Sequence, residues 1–405
     1  MNMLDDTFWN SFRAGLSMEQ RLFVARFPGD TGARQPVSVL YGGAHLFKSD
    51  TPVKLGALAK KAFDEFAAPE AFGLEASLAE RVLPRVKAKL EREPIEDLRI
   101  DFEDGFGHRS DEEEDATAKQ AARELSNAKG LPPFIGIRVK PMTEELGVRA
   151  VRTLELFFGA LRQVPDNFVV TLPKVTSAGQ VKLLVKALSA LGANVKLEVM
   201  VEAVQGLDEL PKLFDAAQGR LRGAHFGTYD YTASLGIAAN EQRMQHPACD
   251  DAKAQMQRAF AGTGVWLSDG ATTAMPIAKE GREAVHAAWR QSMRDTRHSL
   301  AGGFYQGWDL HPAQLVSRYA AVYAFFLENL EASTQRLRNF VDKLGQATLV
   351  GTTFDDAATG QGLLNFFLRG LACGALTEEE VLATGLTRDE LASKSFARIA
   401  KHRRG

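Results

Sequence analysis

The sequence predicts an α/β protein built on a (β/α)8 barrel, the TIM-barrel architecture, with an N-terminal extension and a C-terminal helical tail. Eight short segments rich in β-branched or aromatic residues recur along the chain, and most are followed by a stretch with helical periodicity. Their apolar runs are near-continuous, with only weak alternation with polar residues, as strands covered on both faces by helices require. Eight such repeats between residues 36 and 315 fit a closed barrel better than an open sheet.

The strand segments are PVSVLY (36–41), LRIDFE (98–103), FIGIRV (134–139), FVVTLPK (168–174), KLEVMVE (196–202), GAHFGTY (223–229), a weaker one in GVWLSDGATTAM (264–275), and GFYQGWDL (303–310). Between them, Val148, Val151, Leu154, Phe157, Phe158 and Leu161 share one helical face, as do Val181, Leu184, Val185 and Leu191. The acidic run DEEED (111–115) reads as a helix start, where the dipole favours carboxylates, in preference to a metal site. The barrel starts near Pro36 and closes near Gln314. Residues 1–35 are then an extension and residues 316–405 a tail. The tail reads as a long amphipathic stretch (316–344), a loop GTTFDDAATG (351–360), and short helices with acidic first turns such as TEEEVLA (377–383). Its apolar Tyr319, Val322, Tyr323 and Phe326 invite packing across subunits.

Lys and Arg total 49 against 51 Asp and Glu, so no broad basic field exists to hold nucleic acid or an anionic membrane. Hydrophobic residues at 45% supply a sizeable core, which excludes disorder. Cys249 and Cys373 form no CxxC pattern, pointing to a reducing compartment. The start, MNMLDDTFWNSF, lacks the apolar stretch of a secretory signal, and no run reaches the roughly 18 apolar residues of a membrane span. A cytoplasmic protein with no nucleic-acid or membrane partner is expected.

In such a barrel the active site lies at the C-terminal ends of the strands. Read there, the second strand ends in Asp101-Phe-Glu103-Asp104, the third in Arg138-Val-Lys140, the fourth in Pro173-Lys174, the fifth in Glu202, the sixth in Gly227-Thr228-Tyr-Asp230, and the eighth in Asp309-Leu-His311-Pro312. Glu202 and Asp230 close adjacent strands. Two like charges held side by side are costly unless a cation lies between them, and a hard divalent ion such as Mg²⁺, or equally Mn²⁺, resolves this. Arg138 faces the same mouth, where a guanidinium holds a carboxylate or a developing enolate oxygen. Alone it could equally close the rim as a salt bridge. Lys174 could form a Schiff base, though an electrostatic role suits a site with two acids better. His311 reads as orienting the closing strand, and His45 as a structural group.

The segments LRIDFEDG, IRVKP, TLPKV, VMVEAVQG, HFGTYDYTASLG and GFYQGWDLHPAQ, in this order, resemble the HpcH/HpaI aldolase and citrate lyase β-subunit superfamily. The resemblance covers about residues 36–320 and implies a (β/α)8 barrel that makes or breaks carbon-carbon bonds beside a metal-held enolate. It implies Glu202 and Asp230 as ligands of Mg²⁺ or Mn²⁺, Arg138 as the substrate-carboxylate and enolate arginine, and a trimer or hexamer. Asp104 stands where simple aldolases of the superfamily carry a histidine, as in the citrate lyase β branch, and YGGAHLFKSD replaces that branch's first-strand turn.

The function expected is a metal-dependent lyase or aldolase acting on a small 2-oxo acid or acyl thioester. Arg138, Glu103 and Asp104 are the candidate catalytic residues; Arg138, Lys174, Gly227 and Thr228 are the candidate substrate contacts. A malate synthase-like condensation or a thioester hydrolysis would use the same groups. A catalytically idle metabolite-binding barrel is the alternative of another class.

Overall fold

The computed structural model describes residues 4–29, 33–342, 348–350, 353–355 and 357–404. Eight parallel strands close a barrel in chain order: β1 (Ser38–Gly43), β2 (Asp97–Asp101), β3 (Phe134–Arg138), β4 (Phe168–Leu172), β5 (Lys196–Val201), β6 (Leu221–Phe226), β7 (Trp266–Ala271) and β8 (Gln306–Asp309). β8 pairs with β1 through Ser38 and Gly307, so the sheet has no open edge. All eight expected strands are present, each shifted by a few residues.

The alternation is stronger than the sequence reading allowed. In β2, Leu98 and Ile100 point to the helices, while Asp97, Arg99 and Asp101 point inward; in β5, Glu198 and Met200 do the same. Apolar and polar residues of such a strand are both buried, so the polar ones read as interruptions of an apolar run when they are in fact its second face. The barrel interior holds a charged layer: Arg99 donates to Glu198 at 2.7 Å, to Asp97 at 2.9 Å and to Thr171 at 3.1 Å, and His225 lies 3.4 Å from Glu198. Burial pushes the Asp97 carboxyl up, whereas Arg99 and His225 more than offset burial at Glu198 and hold it well below the usual carboxylate range.

The acidic run does begin a helix, Asp111–Ser126, with Ser110 accepting from the Glu113 N–H. In the helix Gly147–Ala160, Leu154 and Phe157 are fully buried, but Val148, expected on the same face, is exposed because at 100° per residue it stands opposite Phe157. Beyond β8 the chain forms the helix Gln314–Asp342. Its Tyr319, Val322, Tyr323 and Phe326 are at most 1% exposed, packed inside this chain, so they are not available for the subunit contact expected of them. The segment read as a loop contributes the strand Thr353–Asp355, paired antiparallel with Thr348–Val350, and then opens the helix Ala357–Ala372. The extension forms an exposed helix, Asp6–Arg26. Among the described residues no helix is long and apolar enough to cross a membrane.

One ion pair fastens the long helix to the closure of the barrel. Arg318 reaches back to Asp309 at 3.0 Å, and Asp309 also accepts from the Ser38 hydroxyl at 2.7 Å, joining β8, β1 and the helix. Both charges are buried, so removing one strands the other. Arg318→Ala should lower unfolding stability by about 3–5 kcal/mol, read by urea denaturation. A change below about 1 kcal/mol would show that the pair does not hold the closure.

Candidate active site

Asp101 and Arg138 are register partners at the ends of β2 and β3. The parallel pairing therefore sets an inward acid beside an inward guanidinium, and Arg138 donates from Nε at 2.7 Å and from Nη2 at 2.5 Å to the two oxygens of Asp101. This planar fork is the strongest geometry available to the pair. Asp101 also accepts from the N–H groups of Glu103 at 3.0 Å and Gly105 at 2.8 Å, which turns the chain after β2 and sends the Glu103 and Asp104 side chains over the mouth. That turn lies against β1: a Cβ on Gly43 would stand 2.2 Å from the Gly105 carbonyl oxygen.

The Arg138 guanidinium sits over the rings of Tyr41 and Trp308, 4.8 and 5.3 Å from their centres. Its remaining nitrogen, Nη1, lies 2.9 Å from Glu103 and 3.7 Å from Asp104. The arginine expected to bind substrate with its fork thus spends that fork on Asp101 and offers the mouth one edge. Asp101 is the site residue that the sequence reading passed over. The signal was available, since Asp97, Arg99 and Asp101 repeat at the strand period.

Lys174 follows β4 with φ at +50°, a left-handed conformation uncommon for a lysine. There its backbone N–H donates to Glu202 at 2.7 Å, while its ammonium pairs with Glu103 and lies 3.2 Å from Asp104 and 3.8 Å from Asp230. Glu202, just past β5, is buried; Asp230 sits in the first turn of the helix Thr228–Ser234 rather than at the end of β6, and its side chain is half exposed. Gly227 makes room for Glu202, because a Cβ there would stand 2.4 Å from Oε2. Thr228 is buried with its hydroxyl unpartnered. His311 accepts from the Ala313 N–H at 3.1 Å, a local structural role, while Gln314 ties the ends of β7 and β8 by donating to the Thr272 carbonyl.

The electrostatics divide the acids. Burial, and next the charge of Asp230, push the Glu202 carboxyl up to about 8. Burial also raises Glu103, with Arg138 opposing it; at Asp104 burial is outweighed by Arg138 and Lys174, which hold it below the usual carboxylate range. The structure brings Arg138, Glu103, Asp104, Lys174, Glu202 and Asp230 to one mouth, with Gly227 and Thr228 at its side.

The closed barrel thus gathers its acids and two cations at the C-terminal mouth. Its fold is that of the HpcH/HpaI aldolase and citrate lyase β-subunit barrels. A citrate lyase of Burkholderia xenovorans LB400 superposes with a TM-score of 0.60 at 18% identity, over 87% of this chain and 97% of that one. The protein CitE of Mycobacterium tuberculosis, in complex with magnesium, acetoacetate and coenzyme A, gives 0.54 at 17% identity, over 85% of this chain and 99% of that one. At such identities the likeness is one of fold. The chain belongs to the family described as "Domain of unknown function (DUF6986)", which matches residues 16–399. No curated protein matches it.

Because Asp101 balances a buried guanidinium, Asp101→Asn should cost about 3–5 kcal/mol of stability, by the penalty for stranding a buried charge. Chemical denaturation checks this. A fully stable variant would mean that Arg138 is compensated by Glu103 alone.

Proposed function

We propose that this protein is a Mg²⁺-dependent carbon-carbon lyase of the aldolase type, acting on a small 2-oxo acid or acyl thioester. The observation that carries the reading is the charge balance of the mouth. Five carboxyl groups, Asp101, Glu103, Asp104, Glu202 and Asp230, face two cations, Arg138 and Lys174. An anionic oxo acid would be repelled from such a mouth without a further cation. Glu202 and Asp230 offer hard oxygen donors, and the Glu202 carboxyl is raised first by burial and next by the charge of Asp230, both of which a cation between them would offset. The donor set therefore fits Mg²⁺ or Mn²⁺. Among the described residues no three Asp, Glu, His or Cys side chains converge on one point, so water and substrate oxygens would complete the coordination. When bound, the ion supplies a Lewis acid that polarises the substrate carbonyl.

The chain's own groups do the rest. The Nη1 edge of Arg138 stabilises charge developing on the enolate oxygen, and Asp101 with Tyr41 and Trp308 keeps that edge fixed before reaction. Glu103 moves the proton: outside the Glu202–Asp230 pair it is the acid of the mouth whose affinity for protons is raised, it lies against Arg138 and Lys174, and its backbone is held by Asp101. Asp104, kept ionised, balances Lys174, whose ammonium also neutralises a substrate carboxylate. The Thr228 hydroxyl, buried and unpartnered beside Gly227, is the further candidate donor to substrate.

The test is a panel of hydroxy-oxo acids and β-hydroxyacyl thioesters incubated with Mg²⁺ and assayed for released pyruvate, glyoxylate or oxaloacetate. Release from at least one is expected; compounds that raise the melting temperature without turnover would make the protein a metabolite-binding barrel. For the ion, Glu202→Gln and Asp230→Asn should each abolish calorimetric Mg²⁺ binding. Glu202→Gln should leave the metal-free melting temperature unchanged or higher, since the amide keeps the acceptor for Lys174 and removes a disfavoured charge. Unchanged Mg²⁺ affinity in both variants overturns the ligand assignment. Glu103→Gln should bind Mg²⁺ normally yet lose about 10²–10⁴ in kcat, the usual worth of a positioned acid-base group. The wild-type rate should rise with pH through a midpoint above the ordinary glutamate range, a limb that the glutamine variant lacks.

A further inference from the structure

The helix Asp6–Arg26 has no buried residue in its 21 positions. Phe8, Trp9, Phe12, Leu16, Leu22 and Phe23, which span one broad side of it, are 40% to 58% exposed. Phe8, Trp9 and Phe12 touch one another, ring centres 5.4 to 6.2 Å apart, and so form an aromatic cluster standing in solvent. Among the described residues, the end of the helix is tied to the barrel: Arg26 pairs with Asp215 at 2.6 Å, and the Gly29 N–H donates to the Gly262 carbonyl at 2.8 Å. Asp215 precedes β6 and Gly262 precedes β7, which places the anchor at the end of the barrel opposite the mouth.

We infer that this helix pairs antiparallel with the same helix of a second copy, making a two-fold dimer. Its charges suit that arrangement. Asp5 and Asp6 lie at its start and Arg21 near its end, so an antiparallel partner sets acids beside an arginine at both ends and opposes the two dipoles. Three acids (Asp5, Asp6, Glu19) balance three arginines (Arg13, Arg21, Arg26), leaving no cationic face of the kind that holds an anionic lipid surface. Gly15, near the middle, has nothing within 4 Å of a Cβ position and allows close approach of two backbones. Six half-exposed large side chains, at roughly 75–125 Å² each, give roughly 1,200 Å² buried by two helices, the lower edge of a stable interface.

Light scattering at 1 and 50 µM tests this. The full chain should show an even-numbered multiple of 44.3 kDa at 50 µM. The variant Phe8→Ser, Phe12→Ser, Leu16→Ser, Phe23→Ser should show half that mass, with Mg²⁺ binding and melting temperature unchanged because the mouth is remote. Gly15→Cys should form an intermolecular disulfide on mild oxidation, since the central positions face each other across the two-fold, whereas Phe8→Cys should not, because an antiparallel pair sets its two copies at opposite ends. A monomeric wild type, an unchanged mass in the quadruple variant, absence of the Gly15→Cys crosslink, or co-sedimentation of the wild type with phosphatidylcholine and phosphatidylglycerol vesicles would each overturn the inference.

Discussion

The mouth of this barrel is organised by one buried ion pair. A guanidinium removed from water is tolerable only when its charge and its donors are answered, and Asp101 answers Arg138 with both oxygens across neighbouring strands. The same carboxylate accepts two backbone N–H groups of the following turn. Thus a single side chain fixes both the cation and the path of the loop that carries Glu103 and Asp104. The aromatic faces of Tyr41 and Trp308 complete the enclosure. Without Asp101, Arg138 would be a costly buried charge and the loop would lose its two hydrogen bonds.

Beneath this pair the barrel interior is itself charged. Arg99, Asp97 and Glu198 satisfy one another, with Thr171 and His225 at the edges. Such a layer leaves few ways to repack, because every guanidinium nitrogen of Arg99 has an acceptor in it. It also sets a stiff floor under the mouth, so that Arg138 and Glu202 are supported from below by fixed charges rather than by interchangeable methyl groups.

The eight strands were legible because a parallel barrel asks for eight short runs of buried residues separated by helices, and both periods survive in the sequence. The candidate site was legible as a set of strand-end residues that the fold brings to one mouth. Asp101 was passed over because a strand-end acid that spends itself on a neighbouring arginine looks the same, in one dimension, as one that faces solvent. The tail misled for a related reason. Tyr319, Val322, Tyr323 and Phe326 do form an apolar face, but an amphipathic pattern says that a face is covered and not by whom, and here this chain covers it. The strand Thr353–Asp355 lies in a stretch whose Gly, Thr and Asp residues favour turns, and its pairing with Thr348–Val350 supplies what local propensity does not. The helix Asp6–Arg26 lies in what the sequence marks only as an extension, because its apolar side is broad and has polar residues such as Glu19 within it.

The central claim is that the mouth stabilises an enolate. Deuterium exchange into the methyl group of pyruvate, followed by proton NMR in D₂O with Mg²⁺ and the protein, measures that step without requiring knowledge of the second substrate. Exchange well above the rate with Mg²⁺ alone is the result the arrangement of Arg138, Glu103 and the Glu202–Asp230 pair predicts. Pyruvate that binds, as seen by line broadening, yet keeps all its methyl protons would contradict it.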